Sequence, residues 1–153
     1  MNVNKLNNEQ FYNFSREILE PAVCNKLNEL FGKQNLKFVI ATDAEDMRYK
    51  FDIKIIYNDG TFKGIDVKTI EDKNLKGDNT NFSLSLNTFY NYYDKNNFFI
   101  FVLPEYNKKK NYICYICNKT ELKNICKLKN NKYYLCALKD IKDKAIKEFT
   151  LII

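Results

Sequence analysis

Asp52, Asp66 and Lys68 are the side chains whose types and spacing could do chemistry: two carboxylates to hold a hard divalent cation and an ammonium to stand beside it. They lie in the stretch Tyr49 to Ile70, YKFDIKIIYNDGTFKGIDVKTI, where β-branched and aromatic residues alternate with polar ones on both sides of Asn58-Asp59-Gly60. This pattern predicts a β-hairpin. With a three-residue loop closed by Gly60 in the left-handed region, Tyr57 faces Thr61, Ile53 faces Ile65 and Phe51 faces Val67 on one side of the ribbon. Asp52 then faces Asp66, and Lys50 faces Lys68, on the other. Opposed residues carry Cβ atoms about 4.5–5.5 Å apart, so two ionised acids there repel unless a cation sits between them. A slip of one residue would part the acids and undo the apolar pairing, so the hydrophobic pattern itself specifies the charged cluster. The plainer alternative is a ladder of exposed charges on a half-buried hairpin.

Asp52, a short hairpin and then Asp66-Val67-Lys68 together resemble the PD-(D/E)xK nuclease signature, in which an acid on one strand precedes an acid-x-Lys on the next. Residue 51, where the family's name puts Pro, is Phe51. The resemblance extends from Asn7 to Leu103 as a pattern of elements. It implies a restriction endonuclease-like core in the order α-β-β-β-α-β and a metal-dependent nuclease, a DNA endonuclease in the first place. Mg²⁺, or Mn²⁺, would be held by Asp52, Asp66 and the backbone carbonyl of Val67, with Glu20 or Glu17 of the first helix as a further ligand. Lys68 would act as a base or as an electrostatic clamp on the charge that develops during reaction. The competing expectation is a nuclease-fold module that binds nucleic acid or protein without catalysis.

The elements around the hairpin follow from periodicity. Asn7 with Gln10 resembles a capping box, and Phe11, Phe14, Ile18, Leu19 and Ala22 share one helical face. Pro21 should kink or restart this helix with Glu20 near a cap, and a second stretch through Leu27 and Leu30 should stop at Gly32. Leu36 to Ala41 is a short apolar run suited to a strand, followed by an acidic loop with Asp43, Glu45 and Asp46. Glu71 to Asn81 reads as a loop. Ser83 to Asn91 should open a second helix with Leu86, Phe89, Tyr90 and Tyr93 as its buried stripe. Phe98 to Leu103 and Tyr112 to Cys117 are apolar strand-like runs. Thr120 to Lys129 has helical spacing in Leu122, Ile125 and Leu128, and Tyr133 to Leu138 closes the pattern as a strand. The order describes one α/β (α+β) domain, residues 1–153, with a mixed central sheet flanked by helices.

Composition narrows the chemistry. The sequence contains no His, which removes Ser-His and Cys-His nucleophiles and His-containing zinc sites, and leaves carboxylate, Lys and water. Residues 1–100 hold 13 Lys+Arg against 14 Asp+Glu, whereas residues 101–153 hold 12 Lys against 5 acids. The basic excess therefore belongs to the final third, as for a face that meets a polyanion; Lys108, Lys109 and Lys110 are its densest run. An Asn- and Lys-rich codon bias would produce the same excess. Cys114 and Cys117 lie in YICYIC, an unbroken strand-like run that sends them to opposite faces, so with Cys24, Cys126 and Cys136 they read as buried reduced thiols in preference to a zinc knuckle. Tyr90, Tyr92, Tyr93 and Tyr106 suit base stacking or core packing. No membrane-length apolar run and no signal-peptide layout is visible, so the expectation is a cytoplasmic protein with nucleic acid as partner, no membrane and a homodimer left open.

Overall fold

The computed structural model describes residues 8–70, 74–89, 95–105, 108 and 110–153. Its first element is a continuous helical rod: α1 (Asn8–Phe14), a π turn (Ser15–Leu19) and α2 (Glu20–Phe31). Pro21 does not break it. The Glu20 N–H bonds to the Ser15 carbonyl five residues back, and this wide turn takes the proline, which has no N–H, into the first turn of α2, where none is required. The extra residue also shifts the helical phase. Leu19, Glu20, Val23 and Leu27 face inward, while Ile18, expected on the buried stripe, is 42% exposed. Gly32 caps the rod as its sequence suggests, and Asn7, the expected first cap, lies outside the described residues.

The strands form two sheets. β1 (Lys37–Ile40), β2 (Ile53–Ile56), β3 (Phe62–Thr69), β5 (Asn96–Pro104), β6 (Asn111–Asn118) and β9 (Lys147–Ile152) make a six-stranded mixed sheet in the order β1-β2-β3-β5-β6-β9. β3 and β5 run parallel, and the other neighbours are antiparallel. A smaller antiparallel sheet has β8 (Tyr133–Ala137) between β4 (Asn81–Ser85) and β7 (Lys127–Lys129). The inward stripe of the helical rod, with Phe14, Leu19, Val23 and Leu27, covers one face of the large sheet against Ile53, Ile65 and Ile100. The other face carries Phe99, Phe101 and Cys117. It is covered by the small sheet, with Phe82, Leu84 and Cys136, and by α4 (Lys119–Ile125) and α5 (Leu138–Lys144). The architecture is thus a mixed α+β sheet flanked by helices.

Leu138, expected to end the last strand, opens α5, and β9 follows where the pattern was expected to close; three other elements also depart from expectation. Asp43–Tyr49 is a helix, α3, and not an acidic loop: Thr42 and Glu45 form a reciprocal capping box, Glu45 N–H to Thr42 Oγ1 and Thr42 N–H to Glu45 Oε1, each 3.1 Å. The hairpin therefore begins at Ile53, with Tyr49 closing the helix. Asn81–Ser85 is a strand, because Phe82 and Leu84 are buried while Asn81, Ser83 and Ser85 are exposed, a period of two. Beyond it, Leu86–Phe89 is a 3₁₀ turn with Leu86 37% exposed, and Tyr90 and Tyr93 lie outside the described residues. Leu128, expected on a helical stripe, is exposed in β7, since α4 has already ended at Ile125. Cys114 and Cys117 lie on opposite faces of β6, one in each core, and all five cysteines are reduced.

Candidate active site

The hairpin has the register that its turn chemistry dictates. Ile53 pairs with Ile65, Lys54 with Gly64, Ile55 with Lys63 and Ile56 with Phe62; the Tyr57 N–H bonds to the Thr61 carbonyl, and Gly60 takes φ +86°. β3 outruns its partner. β2 starts at Ile53, whereas β3 continues to Thr69, so beyond Ile65 the strand has no paired neighbour on that side among the described residues. The opening arises where α3 ends and Lys50, left-handed at φ 59°, turns the chain towards Asp52. Phe51 accordingly does not face Val67; its ring stacks on Tyr49 and lies against Gly64.

Into this gap Asp52 sends its carboxyl. Its Oδ2 accepts the Val67 N–H at 2.7 Å, a donor that points to the side where a longer β2 would have run. The same carboxyl is within hydrogen-bonding reach of Glu20 and of Asp66. Glu20 is 8% exposed, placed there by the π turn and α2, whereas Glu17 is exposed outside the cleft. Burial, reinforced by the Asp66 and Glu20 carboxylates, pushes Asp52 up to about 10, and burial also raises Glu20. Lys68 Nζ lies 3.2 Å from Asp66 Oδ2. These groups line a cleft of about 480 Å³ that also includes Lys50 and Asp46.

The opposite wall is made of groups that sequence inspection passes over. Ser15 Oγ and Thr69 Oγ1 are 3.4 Å apart across the junction of the π turn and β3, and Ser85, Asn87 and Thr88 close the far side. Arg16 also lines the cleft, held by Tyr12 Oη at 3.1 Å and Asp43 at 3.6 Å. Arg16 could have been found from its spacing, one turn before Glu20 on the same rod. The hydroxyls leave no such trace, because their wall depends on a strand that pairs with residues fifty positions later. Of the acids between the first strands, Asp46 reaches the cleft, Asp43 holds Arg16, and Glu45 is committed to its cap and to Lys54 at 2.7 Å. Lys108 and Lys110 are exposed after β5, with Lys108 3.1 Å from Glu105; Lys109, Tyr92 and Tyr106 lie outside the described residues.

The donor chemistry fits a hard divalent cation, since carboxylate oxygens predominate and a buried like-charge cluster favours a cation or a proton. Among the described residues no three acids or thiols are already spaced around one metal ion. Burial of Asp52 beside the Asp66 and Glu20 carboxylates favours its protonated form, so a cation that binds there competes with that proton. No protein-family profile matches the chain, and no curated protein does. A solved structure does. It is Hjc, a Holliday junction resolvase from the archaeal hyperthermophile Archaeoglobus fulgidus, with a TM-score of 0.43 and 13% identity over 80% of this chain and 90% of that one.

Proposed function

We propose that the protein is a metal-dependent nuclease that hydrolyses phosphodiester bonds in nucleic acid, DNA in the first place, with Asp52, Asp66 and Lys68 as its catalytic residues. The observation that supports this is the meeting of Glu20, Asp52 and Asp66 beside the Lys68 ammonium, in an open cleft at the carboxyl end of β3. Three acids that line one cleft, one of them paired with Lys68, leave negative charge that a plain surface would not retain. Asp52 and Asp66, with the Val67 carbonyl and Glu20, would hold Mg²⁺ or Mn²⁺. When bound, the cation supplies Lewis-acid polarisation of the phosphate and a more acidic water.

The chain's own groups do the remainder. Lys68, 3.2 Å from Asp66, would offer its ammonium to the attacking water and to the charge that develops on the phosphoryl group. The Asp52–Val67 hydrogen bond fixes one ligand against the strand that carries the other two site residues. Arg16 and the Ser15, Thr69, Ser85 and Thr88 hydroxyls offer donors to phosphate oxygens across the cleft from the acids. The contact between the Asp52 and Asp66 carboxyls favours a second reading, a binder on the same fold in which the acids stay closed on a proton.

Plasmid cleavage with Mg²⁺ or Mn²⁺, stopped by EDTA and by Asp66→Asn, is the expected result. Lys68→Ala should lower cleavage by orders of magnitude, while affinity measured with Ca²⁺ barely changes, because the ammonium acts as the reaction proceeds. No cleavage with any divalent cation, together with a modest and salt-dependent loss of affinity in Lys68→Ala, would establish the binder instead.

A further inference from the structure

Away from the cleft, three thiols gather where the small sheet packs on the large one. Cys136 in β8 is 0% exposed, Cys126 at the end of α4 is half-buried, and buried Cys117 in β6 donates its thiol to the Ile141 carbonyl at 3.6 Å. The β7–β8 register sets Lys127 opposite Leu135. Cys126, which precedes Lys127 and is already extended at φ −75°, ψ 144°, therefore stands opposite Cys136. Directly opposed residues of antiparallel strands have Cα atoms about 4.5–5.5 Å apart, within the roughly 4.4–6.8 Å that a disulfide spans. Opposed side chains also share a face, and each of these two thiols perturbs the ionisation of the other. The cluster is not spaced as a metal centre among the described residues, although Asp140 lies near it.

We propose that Cys126 and Cys136 are a reversible thiol–disulfide modification site, oxidised by hydrogen peroxide or a small organic hydroperoxide. Cys126 is the attacking sulfur. It is the more exposed of the two, and the hydrogen bond from Cys136 holds its thiol below the usual range while raising that of Cys136. Its thiolate attacks the terminal peroxide oxygen, the O–O bond breaks, and the leaving hydroxide takes a proton to become water, or the alkoxide of a hydroperoxide an alcohol, leaving Cys126 as a sulfenic acid. The Cys136 sulfur then attacks the Cys126 sulfur, the S–O bond breaks, and the hydroxide released takes the Cys136 proton as a second water. Two thiols lose two electrons, and one peroxide gains them. Cys117 is a poor competitor, because burial pushes its thiol up to about 12.

The bridge would fasten the β7 edge to β8, and β8 pairs on its other side with β4, the strand that leads into Ser85, Asn87 and Thr88 of the cleft wall. The test treats the full native chain with hydrogen peroxide, alkylates the remaining thiols and maps the peptides by mass spectrometry. A Cys126–Cys136 cross-link reversed by dithiothreitol, with Tm several degrees above that of the reduced protein, is expected. Cys136→Ser should leave a sulfenic acid on Cys126 that dimedone traps, Cys126→Ser should yield no adduct, and Cys117→Ala should still form the bridge. Free alkylation of Cys126 after peroxide treatment, or a bridge from Cys117 to either partner, would overturn the assignment.

Discussion

Asp52 carries a proton under conditions where most aspartates have lost theirs, and this has a measurable consequence for stability. Its pKa rises from 3.8 to about 10 on folding, chiefly by burial and then by the Asp66 and Glu20 charges. The native state therefore binds this proton more tightly than the unfolded chain does. The stability it contributes is fully present below about pH 4 and is lost as pH rises towards the folded value. Metal-free protein should melt at progressively lower temperature between about pH 5 and pH 9, and Asp52→Asn should flatten that slope, since the amide carries no charge at any of these values. Parallel slopes in the two proteins would contradict the protonated carboxyl. A divalent cation would compete with the same proton, so Mn²⁺ affinity measured by calorimetry should rise with pH and should vanish in Asp66→Asn. Although Asp52 lies before β2 and outside the paired ladder, the register that brings that end of the hairpin beside Asp66 was legible, because apolar alternation and the Asn58-Asp59-Gly60 loop fix it. The closing of the two carboxyls on each other was not, as it depends on the desolvation that Glu20 and α2 impose from a distant part of the chain.

Among the elements, β3 depends on one position for its fit. A Cβ built on Gly64 would overlap the Phe51 ring, which is fully buried against Tyr49 and Phe62. Gly64→Ala should therefore cost about 1–3 kcal/mol in denaturant unfolding, and Phe51→Leu in the same chain should recover part of the loss by making room. Full additivity of the two substitutions would show that the ring does not fill that space. The hairpin could be read from period-two alternation about its turn, and the first strand and the β5–β6 pair from short apolar runs. α3 was equally present in the letters, as Thr42-x-x-Glu45, but three acids in a short connection mimic a wet loop until the cap is counted. β4 was harder. Its Phe82 and Leu84 fit either period over so few residues, and its pairing with β8 decides between them. The π turn has no sequence marker beyond Pro21, yet it sets which face of the rod Glu20 occupies.

Across the whole molecule, charge and topology point the same way. β3 and β5 are parallel, with Thr69 beside Val102, so the turn after Pro104 lies at the end of the sheet where the cleft opens. That turn carries exposed Lys108 and Lys110 in a segment of 12 lysines against 5 acids. Replacing Lys108 and Lys110 by Gln should weaken nucleic-acid binding and lower the slope of log affinity against log salt by about 0.9 for each duplex phosphate that is no longer neutralised. An unchanged slope would attribute the basic surface to codon usage alone. The small sheet imposes a further consequence, on the order in which the molecule can be made. The hairpin with Asp52 and Asp66 closes between near neighbours in the chain, whereas Asn81–Ser85 has its partner at Tyr133–Ala137. A ribosome delivers the N-terminal residues first, so the acids can be paired long before the strand leading to Ser85 and Thr88 has anything to lie against. During synthesis the nascent chain thus holds its acid cluster without the wall that faces it, and the cleft is finished only when β8 emerges.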